Sequence, residues 1–327
     1  MSRYAQAHVE PAGPGDSRPT ALQIIKDEGL EGALTDKVFI VTGASSGIGI
    51  ETGRALAATG AKVFLAVRDL EKGKEACQSF LEPGRVELLE LDVSKLGSVR
   101  IAAATFLQKS SQLNVLICNA GVMCIPTREV SEDGFEMQLS VNYLGHFLLF
   151  WLLKDTLAES STPQFQSRLV NVSSSGHHAS EILWDDFNLE GSYDHLKAYG
   201  QSKLAQIYHA NYVERNYGSK GIHAFSLMPG TIITNLARYL PQEFVEHVRK
   251  DPDVEKRMKS PGQGAATTIL AAVGKEFEGK GGKYMEDCAV ASTEPFVPNL
   301  RGTTSYTYDE AKENRTWELT LKILGLA

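Results

Sequence analysis

The chain has 327 residues, 43% of them hydrophobic and 22% charged, with a formal net charge of -7. That length suits one large α/β domain with a substantial core, or two small domains, in the soluble globular class. The acidic balance argues against nucleic acid as a partner.

Residues 1–35 read as an N-terminal extension. Pro11, Gly13, Pro14, Gly15 and Pro19 mark its first part as mobile, and no apolar block suggests a secretory signal. The spacing predicts a short helix over Thr20–Leu30, with Leu22, Ile25 and Leu30 seeking a groove on the main body. The main domain is expected over 36–290. Lys37–Val41 reads as its first strand, followed by Thr42-Gly43-Ala44-Ser45-Ser46-Gly47-Ile48-Gly49 and a helix pattern that stops at Gly60. Strand, glycine turn and helix start form an anion cradle. Bare backbone N–H groups and the positive dipole end face the ligand, and glycines let a pyrophosphate approach. Lys62–Val67 closes a βαβ unit at the point where such units meet the adenosine ribose. Arg68 stands there, and Asp69 follows it. A guanidinium on a 2′-phosphate makes a charge-assisted hydrogen bond worth roughly 1.5–3 kcal/mol, so NADP(H) is the expected cofactor. The other reading has Arg68 capping the next helix and Asp69 reaching the ribose.

Val86–Val93 is a third strand, ending at Asp92 and Val93 where an adenine ring can lie. Asp92 also suits a helix start ahead of Ser94. A helix over Ser98–Gln108 leads to a fourth strand, Asn114–Cys118, and the bend Asn119-Ala120-Gly121. Ligands bind open α/β sheets at such strand ends, and Asn119 reads as a brace. A long helix is predicted over Ser131–Leu153. Asn142 lies inside it among apolar neighbours, either as a backbone brace or at a kink that holds a water. Phe147–Leu153 is the longest apolar run, far short of the ~20 residues of a membrane span, so no membrane partner is expected. It reads as a buried helix face shared with a partner subunit.

Arg168–Val172 is a fifth strand, followed by Ser173-Ser174-Ser175-Gly176; a serine here can hydrogen-bond a carbonyl oxygen. His177 and His178 have no acidic or cysteine partner at ligand spacing, so no metal is expected. In Leu196–Ala205, Tyr199 and Lys203 stand one helical turn apart on one face. An ammonium about 4 Å away is worth roughly 4 kcal/mol to a phenolate, which would bring the phenol about 3 units down, near working pH. Ile222–Met228 is a sixth strand, ending in Pro229-Gly230-Thr231-Ile232-Ile233-Thr234. Beyond it, Leu236, Tyr239, Leu240, Phe244 and Val248 suggest an amphipathic helix, interrupted by Pro241, Pro252 and Pro261. It is read either as a lid over about 235–262 facing an apolar or aromatic ligand, or as a surface helix. A helix over Gly264–Val273 and a last strand, Gly282–Met285, precede a C-terminal extension over 291–327. That extension is expected to pack on the same domain, with a helix over Asp309–Leu324. The four cysteines form no C-x-x-C pair and read as reduced thiols of a cytoplasmic protein.

Together, Thr42–Gly49, Asn119-Ala120-Gly121, Asn142, Ser173–Ser175, Tyr199-x-x-x-Lys203 and Pro229-Gly230 resemble the short-chain dehydrogenase/reductase family over about Thr35–Asp287. Arg68–Gly73, Asp133–Gln138, Asn142–Phe147 and Tyr199–Lys203 are similar to its retinol dehydrogenase and WW-domain oxidoreductase branch, without that branch's membrane anchor or WW domains. The resemblance implies a Rossmann-type, doubly wound parallel sheet of about seven strands with helices on both faces, and a homodimer formed through helices. It implies Tyr199 as acid/base, Lys203 on the nicotinamide ribose, Ser174 on the carbonyl oxygen, Asn142 holding a water and Thr234 at the carboxamide. Gly43, Ser45, Ser46, Gly47, Ile48 and Gly49 would cradle the cofactor. Arg68, Asp92, Val93, Asn119, Ala120, Gly121, Pro229, Gly230 and Ile232 would line it. Trp184, Asp185, Asp186 and Phe187 would form a pocket rim. The implied function is NADP(H)-dependent interconversion of a ketone or aldehyde and an alcohol, on a small molecule of secondary metabolism. The alternative is a catalytically weak NADP-binding sensor or scaffold; a sensor has no need of a tuned phenol. An epimerase or dehydratase would carry a larger C-terminal sugar-binding domain.

Overall fold

The computed structural model describes residues 2–294 and 300–327. Its strands are β1 (Val38–Thr42), β2 (Lys62–Val67), β3 (Val86–Glu90), β4 (Val115–Cys118), β5 (Ser167–Val172), β6 (Ile222–Met228), β7 (Lys283–Glu286) and β8 (Ala289–Val290). They form one sheet in the order β3-β2-β1-β4-β5-β6-β7-β8. The first seven are parallel, and the two-residue β8 returns antiparallel along β7. β1, β4 and β5 are buried along their whole length, which is why they read as unbroken apolar runs: a parallel sheet is covered on both faces.

The helices are α1 (Ala21–Asp27), α2 (Ile48–Ala58), α3 (Leu70–Cys77), α4 (Leu96–Lys109), α5 (Met137–Leu139), α6 (Gly145–Glu159), α7 (His195–Tyr217), α8 (Gln242–Lys250), α9 (Pro252–Arg257), α10 (Pro261–Gly264), α11 (Ala266–Val273) and α12 (Glu310–Ile323). Alternate strand residues feed two core layers. Val38 and Ile40 join Phe106, Phe147 and Tyr208 of α4, α6 and α7. Phe39 and Val41 join Ile25, Leu56 and Ile269 of α1, α2 and α11. Strand order reverses between β1 and β4, so a ligand crevice opens at the C-terminal ends of the strands there.

Several expectations change. The first part of the N-terminal extension is not a free arm. Tyr4 is buried, and the buried Arg18 donates to the carbonyls of Gly13, Arg257 and Met258 at 3.0, 3.0 and 2.6 Å. In α1 it is Ile24 and Ile25 that enter the core, while Leu22 stays exposed. The long helix starts at Met137, not Ser131, because the buried Glu136 caps it by accepting from the N–H groups of Gln138 and Leu139. Between α5 and α6 the backbone widens into a π turn over Ser140–Leu144, which contains Asn142.

The apolar run Phe147–Leu153 is covered by the chain's own C-terminal helix. Trp317 of α12 meets Phe147 at 4.7 Å, Phe150 at 6.5 Å and Trp151 at 6.1 Å between ring centroids. α12 thus occupies the face that the apolar pattern assigns to a partner subunit. Among the described residues no helix is long and apolar enough to cross a membrane. The expected lid is a 3-10 turn over Asn235–Tyr239 followed by α8 and α9. The side chains of Phe244 and Val248, and Pro295 and Pro298 in the C-terminal extension, lie outside the described residues.

Candidate active site

β1 delivers Thr42 to the crevice, and the glycine turn follows it. Gly43 and Gly47 have φ of 70° and 58°, in the left-handed region where a side chain is strained. A Cβ at Gly49 would collide with the Gly43 carbonyl oxygen, so only glycine lets α2 start this close to the strand. Gly47 caps α2 without a side-chain hydrogen bond, leaving the first N–H groups of the helix to an outside acceptor. The buried Oδ1 of Asn119, across the turn, also has no protein partner. These features fit a nicotinamide dinucleotide. Ser45, Ser46 and Ile48 edge the turn and are partly to fully exposed.

Asn119 braces the sheet: its Nδ2 donates to the Thr42 carbonyl at 2.8 Å, and its N–H donates to Thr42 Oγ1 at 2.9 Å. Asn142 is a brace too. Its Oδ1 accepts from the Val122 N–H at 2.9 Å, and its Nδ2 donates to the Val122 carbonyl at 3.0 Å and Ser202 Oγ at 2.9 Å. A Cβ built on Gly121 would lie 3.2 Å from Asn142 Oδ1, 3.6 Å from Lys203 Nζ and 3.9 Å from Leu236, so the β4 loop, α7 and the 3-10 turn Asn235–Tyr239 meet at one point. Asp92 Oδ1 accepts from the N–H and hydroxyl of Ser94 at 3.0 and 2.6 Å, and Val93 is buried against Gly145. Thr234 touches the Gly47 position across the crevice while its hydroxyl accepts from the Leu236 N–H. Ile232 packs beside Ile48 at Gly264, and Lys259 anchors the Pro229-Gly230 bend by donating to the Pro229 carbonyl at 3.3 Å.

Asp69 Oδ1 caps α3 by accepting from the Lys72 N–H at 3.1 Å, and Arg68 beside it is exposed. The cap is therefore the aspartate and not the arginine.

The three serines separate by task. Ser173 Oγ donates to the Lys203 carbonyl at 2.8 Å and ties β5 to α7. Ser174 faces the Tyr199 phenol and hydrogen-bonds it. Ser175 begins a 3-10 turn. Gly176 is needed because a Cβ there would lie 2.5 Å from the Tyr199 ring. His177 Nδ1 donates to the Ser174 carbonyl at 2.7 Å, and His178 Nε2 to the Gly302 carbonyl at 3.2 Å. The Trp184–Phe187 segment closes on itself and on neighbouring helices. Asp186 accepts from the N–H groups of Glu190, Gly191 and Ser192, and Trp184 stacks under Arg315 of α12.

Tyr199 and Lys203 do share a buried face, with Nζ 5.6 Å from the ring centroid. Nζ donates to the Val172 carbonyl at 2.9 Å and to Gln206 Oε1 at 3.0 Å. The expected acidic phenol does not follow from these groups alone. Burial pushes Tyr199 up to about 12 against the Ser174 hydrogen bond, and burial pushes Lys203 down to about 7. The amine is anchored on the Val172 carbonyl and Gln206 Oε1, and burial penalises the charged form of each group. Gln206 was not singled out from sequence; the signal was its place one turn beyond Lys203.

This has a consequence for stability. The unfolded lysine titrates near 10.4, so between pH 7 and about 10 the unfolded chain holds a proton that the folded chain lacks. Stability therefore rises with pH in that window, by up to about 1.4 kcal/mol per pH unit from this group. In urea titrations from pH 7 to 9.5, Lys203→Met is expected to remove that part of the slope. An identical slope in the two proteins would contradict it.

The sequence profile of the short chain dehydrogenase family matches residues 37–243. The chain is 56% identical over 326 residues to the short-chain dehydrogenase/reductase prx1 of Penicillium roqueforti, covering 99% of this chain and 96% of that protein. It is 37% identical over 296 residues to retinol dehydrogenase 11 of Homo sapiens, covering 90% and 87%. A solved structure of an uncharacterised protein from Mycobacterium Paratuberculosis superposes with a TM-score of 0.66 at 30% identity, covering 88% of this chain and 93% of that one. The chain belongs to the short-chain dehydrogenase family, resembles its retinol dehydrogenase branch, and is a nicotinamide-dependent oxidoreductase of small molecules.

Proposed function

We propose that the chain is an NADP(H)-dependent enzyme that interconverts a ketone or aldehyde and its alcohol on an apolar or aromatic small molecule. The observation that carries this is the convergence of Ser174, Tyr199 and Lys203 beside the glycine cradle. NADP(H), when bound, supplies or accepts the hydride. Ser174 Oγ hydrogen-bonds the substrate oxygen and holds it against the phenol. Tyr199 moves the proton to or from that oxygen; its resting form is protonated, as donation to a carbonyl requires. Lys203 holds the nicotinamide ribose and favours the phenolate as it forms. Asn142 keeps the cofactor loop and α7 in register through Val122 and Ser202, and Thr234 faces the carboxamide. Residues 235–262 act as a lid, with Leu236 against the junction of Gly121 and Lys203. A cytoplasmic setting fits four buried, unpaired cysteines.

NADP over NAD rests on Asp69 being engaged in the α3 cap, which leaves Arg68 to meet a 2′-phosphate. Arg68→Ala is expected to cut the NADPH/NADH preference by about tenfold to a hundredfold, the worth of one charge-assisted hydrogen bond. Nucleotide titrations read this ratio, and an unchanged ratio removes Arg68 from the site. The reaction itself is tested by NADPH consumption over a panel of aryl and alkyl ketones and aldehydes. NADPH binding with no turnover across the panel would favour the sensor reading.

A further inference from the structure

Behind the site lies a buried chain of hydrogen bonds whose directions can be assigned. Thr42 Oγ1 accepts from the N–H groups of Asn119 and Ala120 at 2.9 and 3.0 Å. Both acceptor positions of the hydroxyl are then used. Its one hydrogen goes to His146 Nε2 at 2.9 Å, the Ile117 carbonyl being a poorer acceptor at 3.4 Å. Nε2 therefore accepts, so Nδ1 carries the ring hydrogen and donates it to the Asn142 carbonyl at 3.0 Å. Burial pushes this imidazole down to about 4, so it stays neutral and keeps that direction at physiological pH. Asn142 holds Val122 by both its N–H and its C=O, and donates to Ser202 Oγ. Ser202 passes its own hydrogen to the Tyr199 carbonyl at 2.8 Å.

The loop Asn119–Val122 is thus gripped at its start by Thr42 and at its end by Asn142, and His146 joins the two grips. We propose that His146 is a positioning residue: it fixes the nucleotide-facing loop Asn119–Val122 relative to the Tyr199–Lys203 face of α7. The inference rests on the reading of that loop as part of the nucleotide site. His209 supplies the contrast. It is an equally buried imidazole, but its Nε2 has no partner, its Nδ1 accepts from Asn171 Nδ2 of β5 at 3.3 Å, and its ring lies among Phe147, Phe150 and Trp317. One histidine fills the core; the other links two parts of the site.

The test is the dissociation constant of NADPH and of NADH, by fluorescence titration of the full chain below its melting temperature. His146→Phe keeps the ring and removes both nitrogens. It is expected to weaken whichever nucleotide the wild type binds by about tenfold, and Thr42→Val to do likewise. The double variant is expected to be no weaker than the weaker single variant, because both break one chain. Thr42→Ser, which restores the hydroxyl, and His209→Phe are both expected to stay within about twofold. Equal binding by wild type and His146→Phe overturns the inference, as do losses that multiply in the double variant. If His146→Phe does not fold, the smaller His146→Leu decides: nucleotide binding weakened beyond that of His209→Phe supports the link, and binding equal to wild type overturns it. A wild type that binds neither nucleotide sinks the functional reading, and this inference with it.

Discussion

Tyr199→Phe is expected to lower kcat by about a hundredfold to ten-thousandfold, the usual worth of a positioned general acid/base. Nucleotide affinity is expected to stay near that of the wild type. The substitution is unusually clean here. The ring is buried and packs against Gly176, where even a Cβ would intrude, so a phenylalanine ring keeps the same shape and contacts. What disappears is the hydroxyl and its hydrogen bond with Ser174. Lys203 keeps its own anchors, the Val172 carbonyl and Gln206 Oε1, so the amine proposed to bind the ribose stays in place. The loss should therefore fall on kcat and not on cofactor binding. Steady-state turnover beside a fluorescence titration reads both. A variant that keeps more than about a tenth of wild-type turnover would remove the phenol from the proton path, since general acid/base catalysis is worth far more.

The parts of this site that sequence makes legible are those set by local geometry. Gly43, Gly47 and Gly49 announce a close approach because only glycine tolerates it, and a parallel strand buried on both faces announces itself as an apolar run. Tyr199 and Lys203 share a face by helical spacing alone. What spacing cannot supply is burial, and burial reverses the expected direction of the Tyr199 pKa while lowering that of Lys203. Non-local contacts are hidden for a related reason. The Pro/Gly pattern of residues 1–19 reads as a mobile arm because composition alone shows no contact that would hold it. That Arg18 is buried against Arg257 and Met258 depends on residues more than two hundred positions away. Likewise Ser173, Ser174 and Ser175 are equivalent as letters. They part only when β5 and α7 pack, with one hydroxyl turned to the Lys203 carbonyl and its neighbour to the phenol.

Trp317→Ala is expected to destabilise the fold by about 3–5 kcal/mol, the range for deleting a buried large aromatic. Trp317 is 4% exposed and stacks on Tyr212 at 4.0 Å with an 11° interplanar angle. It also meets His209 at 6.0 Å and Tyr217 at 6.2 Å, so one indole closes the groove between α6 and α7. The rest of α12 is fastened by polar contacts that keep their partners in the variant. Tyr143 and Thr320 share a hydrogen bond of 2.8 Å, Asn211 Nδ2 donates to Glu313 at 2.7 Å, and Arg215 pairs with Glu313. The helix is therefore expected to stay docked over a cavity, and the cost to appear as a lower urea midpoint at unchanged m. Tyr199 lies 13 residues before Tyr212 on α7, about 20 Å along the axis, so kcat well below the melting temperature is expected to change little. With Trp317 in place, the Phe147–Leu153 face is spent within one chain, and sedimentation is expected to show no dimer held by it. If Trp317→Ala cost under about 1 kcal/mol, the indole would not be the plug of that groove, because cavity formation alone exceeds that. The apolar face would then be available to a second copy after all.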